Sequence, residues 1–215
     1  MRQFMFGLSI ACALLLGTSL SQGATYAFVA DQPSYTISVG QTVNVIVYFQ
    51  ESHSGISTLE AEDGLFSAGF AAANNVPGAA DVQTAANVAF NIVDFTDVAP
   101  AVEPFGNSTV SVTSGLVHVL AIARNDPGPT GAPAVSNVNR VQIATLTYTG
   151  LAAGTSTITL GDRDPTPAVI ETVTYATPDT ELAGSSSFTI QVVIPEPATL
   201  GMLACGLSML LRRRR

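Results

Sequence analysis

The sequence predicts an all-β protein, an antiparallel β-sandwich of jelly-roll type flanked by an N-terminal signal helix and a short C-terminal transmembrane helix. Three observations predict it. Apolar residues alternate with polar ones at period two, as in "SYTISV", "TVNVIVYF" and "SSFTIQVVI", and such alternation marks strands with one face on a core and the other toward water. Glycine and proline punctuate these runs at short intervals, most densely in "NDPGPTGAP". Almost no stretch between the two ends keeps a helical period of 3.6 residues.

The first element is the segment "MRQFMFGLSIACALLLGTSLSQGA". Arg2 lies beside the free amine, an apolar run follows from Phe4 to Leu16, and small polar residues come after it. This is the three-part layout of a secretory signal peptide, with cleavage after Gly23 or Ala24. A retained anchor is disfavoured, because about a dozen apolar residues fall short of the roughly 20 that span a bilayer. Cys12 sits inside the apolar run with Ser9 three residues before it, which argues against a lipoprotein signal.

Residues 25–194 form the sandwich domain. Tyr35, Ile37 and Val39 share one face of the strand beginning at Ser34, and Val43, Val45, Val47 and Phe49 share one face of the next. Further strands are expected at 25–30, 88–95, 109–113, 115–123, 141–149, 155–160 and 169–175, rich in Val, Ile, Thr, Phe and Tyr. The last carries Phe188, Ile190, Val192 and Ile194 on one face. The tract 56–87 is ambiguous: Ala-rich and acidic, with "ADVQTAANV" fitting a helical turn.

The chain closes with "VIPEPATLGMLACGLSMLLRRRR". The fourteen uncharged residues 198–211 would make a helix of about 21 Å, short of the roughly 30 Å hydrocarbon core. The arginines would stay cytoplasmic by the positive-inside rule, leaving the Pro-Glu-Pro and all before it outside. Pro195, Glu196 and Pro197, the short apolar helix and the cluster Arg212, Arg213, Arg214 and Arg215, in order over residues 195–215, resemble a PEP-CTERM sorting signal. That resemblance implies a partner, an exosortase, which is a membrane-embedded cysteine transpeptidase. It would recognise the Pro-Glu-Pro, cut the tail and release the protein to the cell surface or the extracellular polysaccharide matrix. The plain alternative is a tail anchor with an incidental linker.

Two internal stretches, "PSYTISVGQTVNVIVYF" and "VQIATLTYTGLAAGTSTITLGD", resemble the opening strands and the late strand pair of cohesin-type β-sandwiches. Several carbohydrate-binding modules share that architecture. The resemblance implies the fold; dockerins, the partners of true cohesins, do not carry over with it.

Charge narrows the function. Only 11 % of residues are charged, against about 25 % in ordinary soluble domains, and there is no lysine. All sixteen acids lie between Asp31 and Glu196 with three arginines, a net charge of −13 over that stretch. That balance disfavours nucleic acid as a partner, because phosphate binding requires clustered cations, and no such partner is expected. The cysteines are Cys12 and Cys205, both in the terminal apolar runs, so the domain between has neither a disulfide nor a thiol nucleophile.

No hydrolase, phosphate-loop or dinucleotide motif occurs, and no catalytic residue is assigned. His118 lies in the strand pattern "GLVHVLAIA" and reads as packed or paired across strands; His53, in "ESHSG", reads as a loop tip. Glu60, Glu62 and Asp63 are the densest carboxylates and read as a solvated loop. Asp162, Asp164 and Thr166 alternate as in a calcium loop, but Pro167 replaces the required glycine and Glu171 comes two positions early. No cofactor and no metal site follow from the sequence, with a looser calcium site there as the alternative left open. Of the five tyrosines, Tyr35 and Tyr148 belong to apolar faces, leaving few to stack on sugars.

The sequence thus reads as an exported, non-catalytic surface or matrix protein, adhesive toward polysaccharide or protein. The competing reading is a secreted polysaccharide-active enzyme using a pair of carboxylates.

Overall fold

The alternating runs pair into two sheets. The computed structural model describes residues 24–61, 63–75, 82–96, 108–113, 115–163, 172–174 and 184–195. In chain order the strands are β1 (Thr25–Ala30), β2 (Ser34–Ser38), β3 (Thr42–Ser52), β4 (Leu65–Asn74), β5 (Val82–Phe90), β6 (Thr109–Thr113), β7 (Leu116–Ile122), β8 (Ala132–Val135), β9 (Val138–Gly150), β10 (Gly154–Asp162), β11 (Val173–Thr174) and β12 (Ser186–Val193). One short helix, α1 (Thr58–Ala61), lies between β3 and β4.

The five-stranded sheet runs β1-β3-β9-β5, with β8 beside β9. The seven-stranded sheet runs β2-β12-β10-β4-β7-β6, with β11 beside β4. The expected faces turn inward: Val45, Val47, Phe49, Leu146 and Tyr148 from the smaller sheet meet Phe70, Val119, Ile158, Phe188 and Ile190 from the larger. Phe28 bridges the layers, its ring 5.5 Å from Phe49 and 5.2 Å from Phe70. Burying such side chains is the main stabilising term, about 1.5–3 kcal/mol each when complete.

Five expectations are corrected. The sandwich is not wholly antiparallel: β2 pairs with β12 in parallel, Tyr35 opposite Ile190. The tract 56–87 holds a full central strand, β4, whose alanines pair between β7 and β10; placement in the sheet overrides alanine's preference for helix. The helical turn expected in "ADVQTAANV" is instead the beginning of β5, which stops at Phe90, where the strand expected at 88–95 gives way to a turn at Asn91–Asp94. The Asn91 side-chain carbonyl accepts a hydrogen bond from Val93 N at 3.3 Å, the local bond by which asparagine competes with a strand. Finally, the proline-rich run contributes its own edge strand, β8.

The signal segment through Gly23, Glu196 and Pro197, the apolar run 198–211 and the arginine cluster lie outside the described residues. Among the described residues no helix is long and apolar enough to cross a membrane.

Candidate functional site

The site grows from an irregularity in β9. In this strand Val141 and Ile143 point inward at odd positions, whereas Leu146 and Tyr148 point inward at even ones. Both cannot hold in a regular strand, because the side-chain period is two. The register with β3 resolves the conflict: Val47 pairs with Ala144 and Tyr48 with Gln142, so Ile143 is an extra residue, a β-bulge. Without it, Arg140 and Gln142 would point into the core. With it they turn outward beside Tyr48, which alternation places on the outer face of β3.

The result is a groove of about 510 Å³ on the five-stranded sheet, floored by Tyr48, Arg140 and Gln142, with Asp94 on one side and residues 128–132 on the other. The Arg140 guanidinium lies over the Tyr48 ring, 5.8 Å from its centroid, and its Nε donates to Gln50 Oε1 at 2.8 Å. Asn91 Nδ2 donates to Asp94 Oδ2 at 2.7 Å and to the Gln142 carbonyl at 3.3 Å, which fixes the acid against β9. The loop wall is equally fixed: Gly128 N donates to the Asp63 carbonyl and Leu65 N to that of Pro129. Gly131 has φ +84°, and a Cβ there would come within 2.8 Å of the Arg140 carbonyl. Only glycine fits this wall.

Beyond the groove the same outer face continues as neutral hydroxyls and amides, with Thr147 Oγ1 donating to Asn44 Oδ1 at 2.9 Å. Chemically the groove combines an aromatic ring, a planar cation, an amide and a carboxylate, all on half-buried side chains.

Tyr26, Tyr35 and Tyr148 are buried, Tyr175 lies outside the described residues, and Tyr48 alone of the described tyrosines is partly open. Tyr35 donates to Asp31 Oδ1 at 2.6 Å. Burial first, and then that carboxylate, push its phenol well above the tyrosine range; burial alone does so for Tyr148. Among the described residues the Tyr148 hydroxyl has no hydrogen-bond partner.

The other singled-out residues do not converge. Glu60 and Asp63 are exposed around the end of α1, and Glu62 lies outside the described residues. Asp162 is exposed at the end of β10, while Asp164 and Thr166 lie outside the described residues. Among the described residues no group of three or more His, Cys, Asp or Glu is close enough to hold a metal ion. His118 points outward from β7, opposite Ala71 and Ser111. His53 lies in the loop just after β3 but is half-buried: its backbone N–H donates to the Asn137 carbonyl at 3.0 Å, and its buried Nδ1 has no hydrogen-bond partner among the described residues. Pro195 is exposed, three residues after Val192, the last inward-facing residue of β12.

Sequence reasoning missed Glu51. It continues the inward series Val45, Val47, Phe49 and is fully buried, accepting from Ser57 Oγ at 2.5 Å and Thr58 N at 2.6 Å. The phase of β3 was the available signal, together with Ser57 and Glu60 spaced as a helix-capping pair.

No family model matches the chain, and no curated protein matches it. Among solved structures, the second type II cohesin module of the cellulosomal adaptor ScaA scaffoldin of Acetivibrio cellulolyticus is similar at 11 % identity and TM-score 0.38, covering 81 % of this chain and 95 % of that one. A type II cohesin domain from the cellulosome of the same organism is similar at 16 % identity and TM-score 0.37, covering 78 % and 94 %. At these TM-scores no site or partner of those modules is transferred to this chain; the β-sandwich itself rests on the strand pairing described above.

Proposed function

We propose that the protein is an exported, non-catalytic module of the bacterial surface or matrix that binds extracellular polysaccharide in the Tyr48 groove. The bulge at Ile143 is the observation that carries this reading, because it spends a ladder irregularity to bring Arg140 and Gln142 out beside Tyr48. A sugar presents an apolar ring face and a rim of hydroxyls that both donate and accept. An aromatic ring suits the first; guanidinium, amide and carboxylate suit the second. The open groove and the hydroxyl row beyond it favour a polymer over a small ligand.

Delivery rests on the two ends of the sequence. The signal segment exports the chain, and Pro195, Glu196, Pro197, the apolar run and the arginines present it to an exosortase for release. Before release the tail holds the protein at the inner membrane.

The test is a pull-down of Tyr48→Ala and of the parent protein on the host's own matrix polysaccharide. The expected outcome is at least a tenfold loss of affinity for the variant, about 1.4 kcal/mol, without release of reducing ends by either. Equal retention of both proteins overturns the groove, retention of the parent by matrix protein alone reassigns the ligand, and turnover overturns the non-catalytic reading.

A further inference from the structure

Three exposed aliphatic side chains gather where the chain leaves the sandwich. Ile194 is 69 % exposed, Leu151 50 % and Val39 38 %. Val39 directly follows β2 and Ile194 directly follows β12, and those strands run side by side in parallel with Ser38 opposite Val193. Leu151 follows Gly150, whose N–H donates to the Gln41 carbonyl and whose carbonyl accepts from Gly40 N at 2.8 Å. A Cβ on Gly150 would come within 2.8 Å of Val192 Cγ1, so this end of the sandwich is closely packed and holds its apolar tips in fixed positions.

The surroundings are as informative as the tips. Residues 38–42, 149–155 and 192–195 contain no charged residue, in a domain whose acids heavily outnumber its arginines. An exposed apolar cluster in an uncharged setting marks a contact surface. Its distance from the tail limits what that surface can meet. Only three residues, 195–197, separate Ile194 from the apolar run beginning at Ala198, and three extended residues reach about 10 Å.

We infer that this end of the sandwich is a lipid-facing foot: Val39, Leu151 and Ile194 dip into the bilayer interface while the tail is still attached. This rests on the reading of 198–211 as membrane-inserted. With so short a connector, a domain tethered by that run is held against the bilayer, and the segments that carry the three tips, 38–42, 149–155 and 192–195, hold none of the carboxylates that anionic headgroups would repel. The foot holds the Pro-Glu-Pro at the membrane surface, where a membrane-embedded protease works.

The test uses the full chain with Cys12→Ser and Cys205→Ser, carrying a nitroxide on Val39→Cys, Leu151→Cys or Ile56→Cys, in phosphatidylcholine vesicles. Ile56 is 80 % exposed but lies beyond the far end of β3, whose eleven residues span about 36 Å. The expected result is an oxygen-to-nickel-chelate relaxation ratio several-fold higher at 39 and 151 than at 56, unchanged by salt. Flotation with the vesicles but equal ratios at all three sites overturns the foot and leaves the tail reading standing. Failure to float overturns both. Immersion seen only in membranes containing the sorting protease overturns the foot by assigning the surface to a protein partner.

Discussion

Tyr148 is a tyrosine used as a phenylalanine. Its ring packs edge-on against Phe188 at 6.1 Å, but its buried hydroxyl has no partner among the described residues, and an unsatisfied buried hydroxyl costs about 1–3 kcal/mol. Tyr148→Phe should therefore stabilise the protein by about 1 kcal/mol at neutral pH, measured as a higher urea midpoint at unchanged slope. With Tyr35, the same residue also makes stability depend on pH on the alkaline side. Tyr148 and Tyr35 hold their protons more tightly folded than unfolded, so the unfolded chain loses protons first as pH passes about 10. Their contribution is complete below that pH and declines above it; the decline should be shallower in Tyr148→Phe. Tyr148 was legible as core from its phase alone. Its missing partner was not, because hydrogen bonding depends on what the opposite sheet brings.

Among the elements, β9 shows how function is written in a strand. Its apolar residues fall at 141 and 143, then at 146 and 148, and that change of phase is visible in the sequence as a required bulge. What the sequence hides is the consequence, since only the pairing with β3 places Tyr48 opposite Gln142. The missed strand β4 fails for a different reason: "FAAAN" carries helix-favouring alanines, and sheet pairing on both sides decides against them. Helix α1 has only four residues and cannot stand on its own propensity; the buried Glu51 carboxylate holds its first turn. Glu51→Ala should strip acceptors from Ser57 and Thr58 and cost about 1–3 kcal/mol. Faster amide exchange at Thr58 than elsewhere in the domain is the accompanying sign. Exchange unaltered at Thr58 would mean that the turn is held by other contacts.

At the scale of the whole molecule, the strands of the sandwich are separable from the tail. The last strand ends at Val193, two residues before Pro195, so removing the tail leaves every described strand intact. Glu196→Ala should therefore leave folding untouched and change only location, with the intact mass of the membrane fraction retaining the arginines and the released fraction depleted. Undiminished release from Glu196→Ala would sink the sorting role of the Pro-Glu-Pro. The layering of strands was readable from alternation and turns, but the parallel contact of β2 with β12 was not, because it joins residues about 150 positions apart. That contact has a further meaning for the order of events. The final strand is inserted between β2 and β10, so β2 stays unpaired until nearly all of the chain has emerged. A protein threaded outward from its N-terminus cannot close its larger sheet midway through the pore. On the export reading proposed above, that topology would leave the larger sheet open until the last strand is across, and final folding would coincide with the arrival of the tail at the membrane.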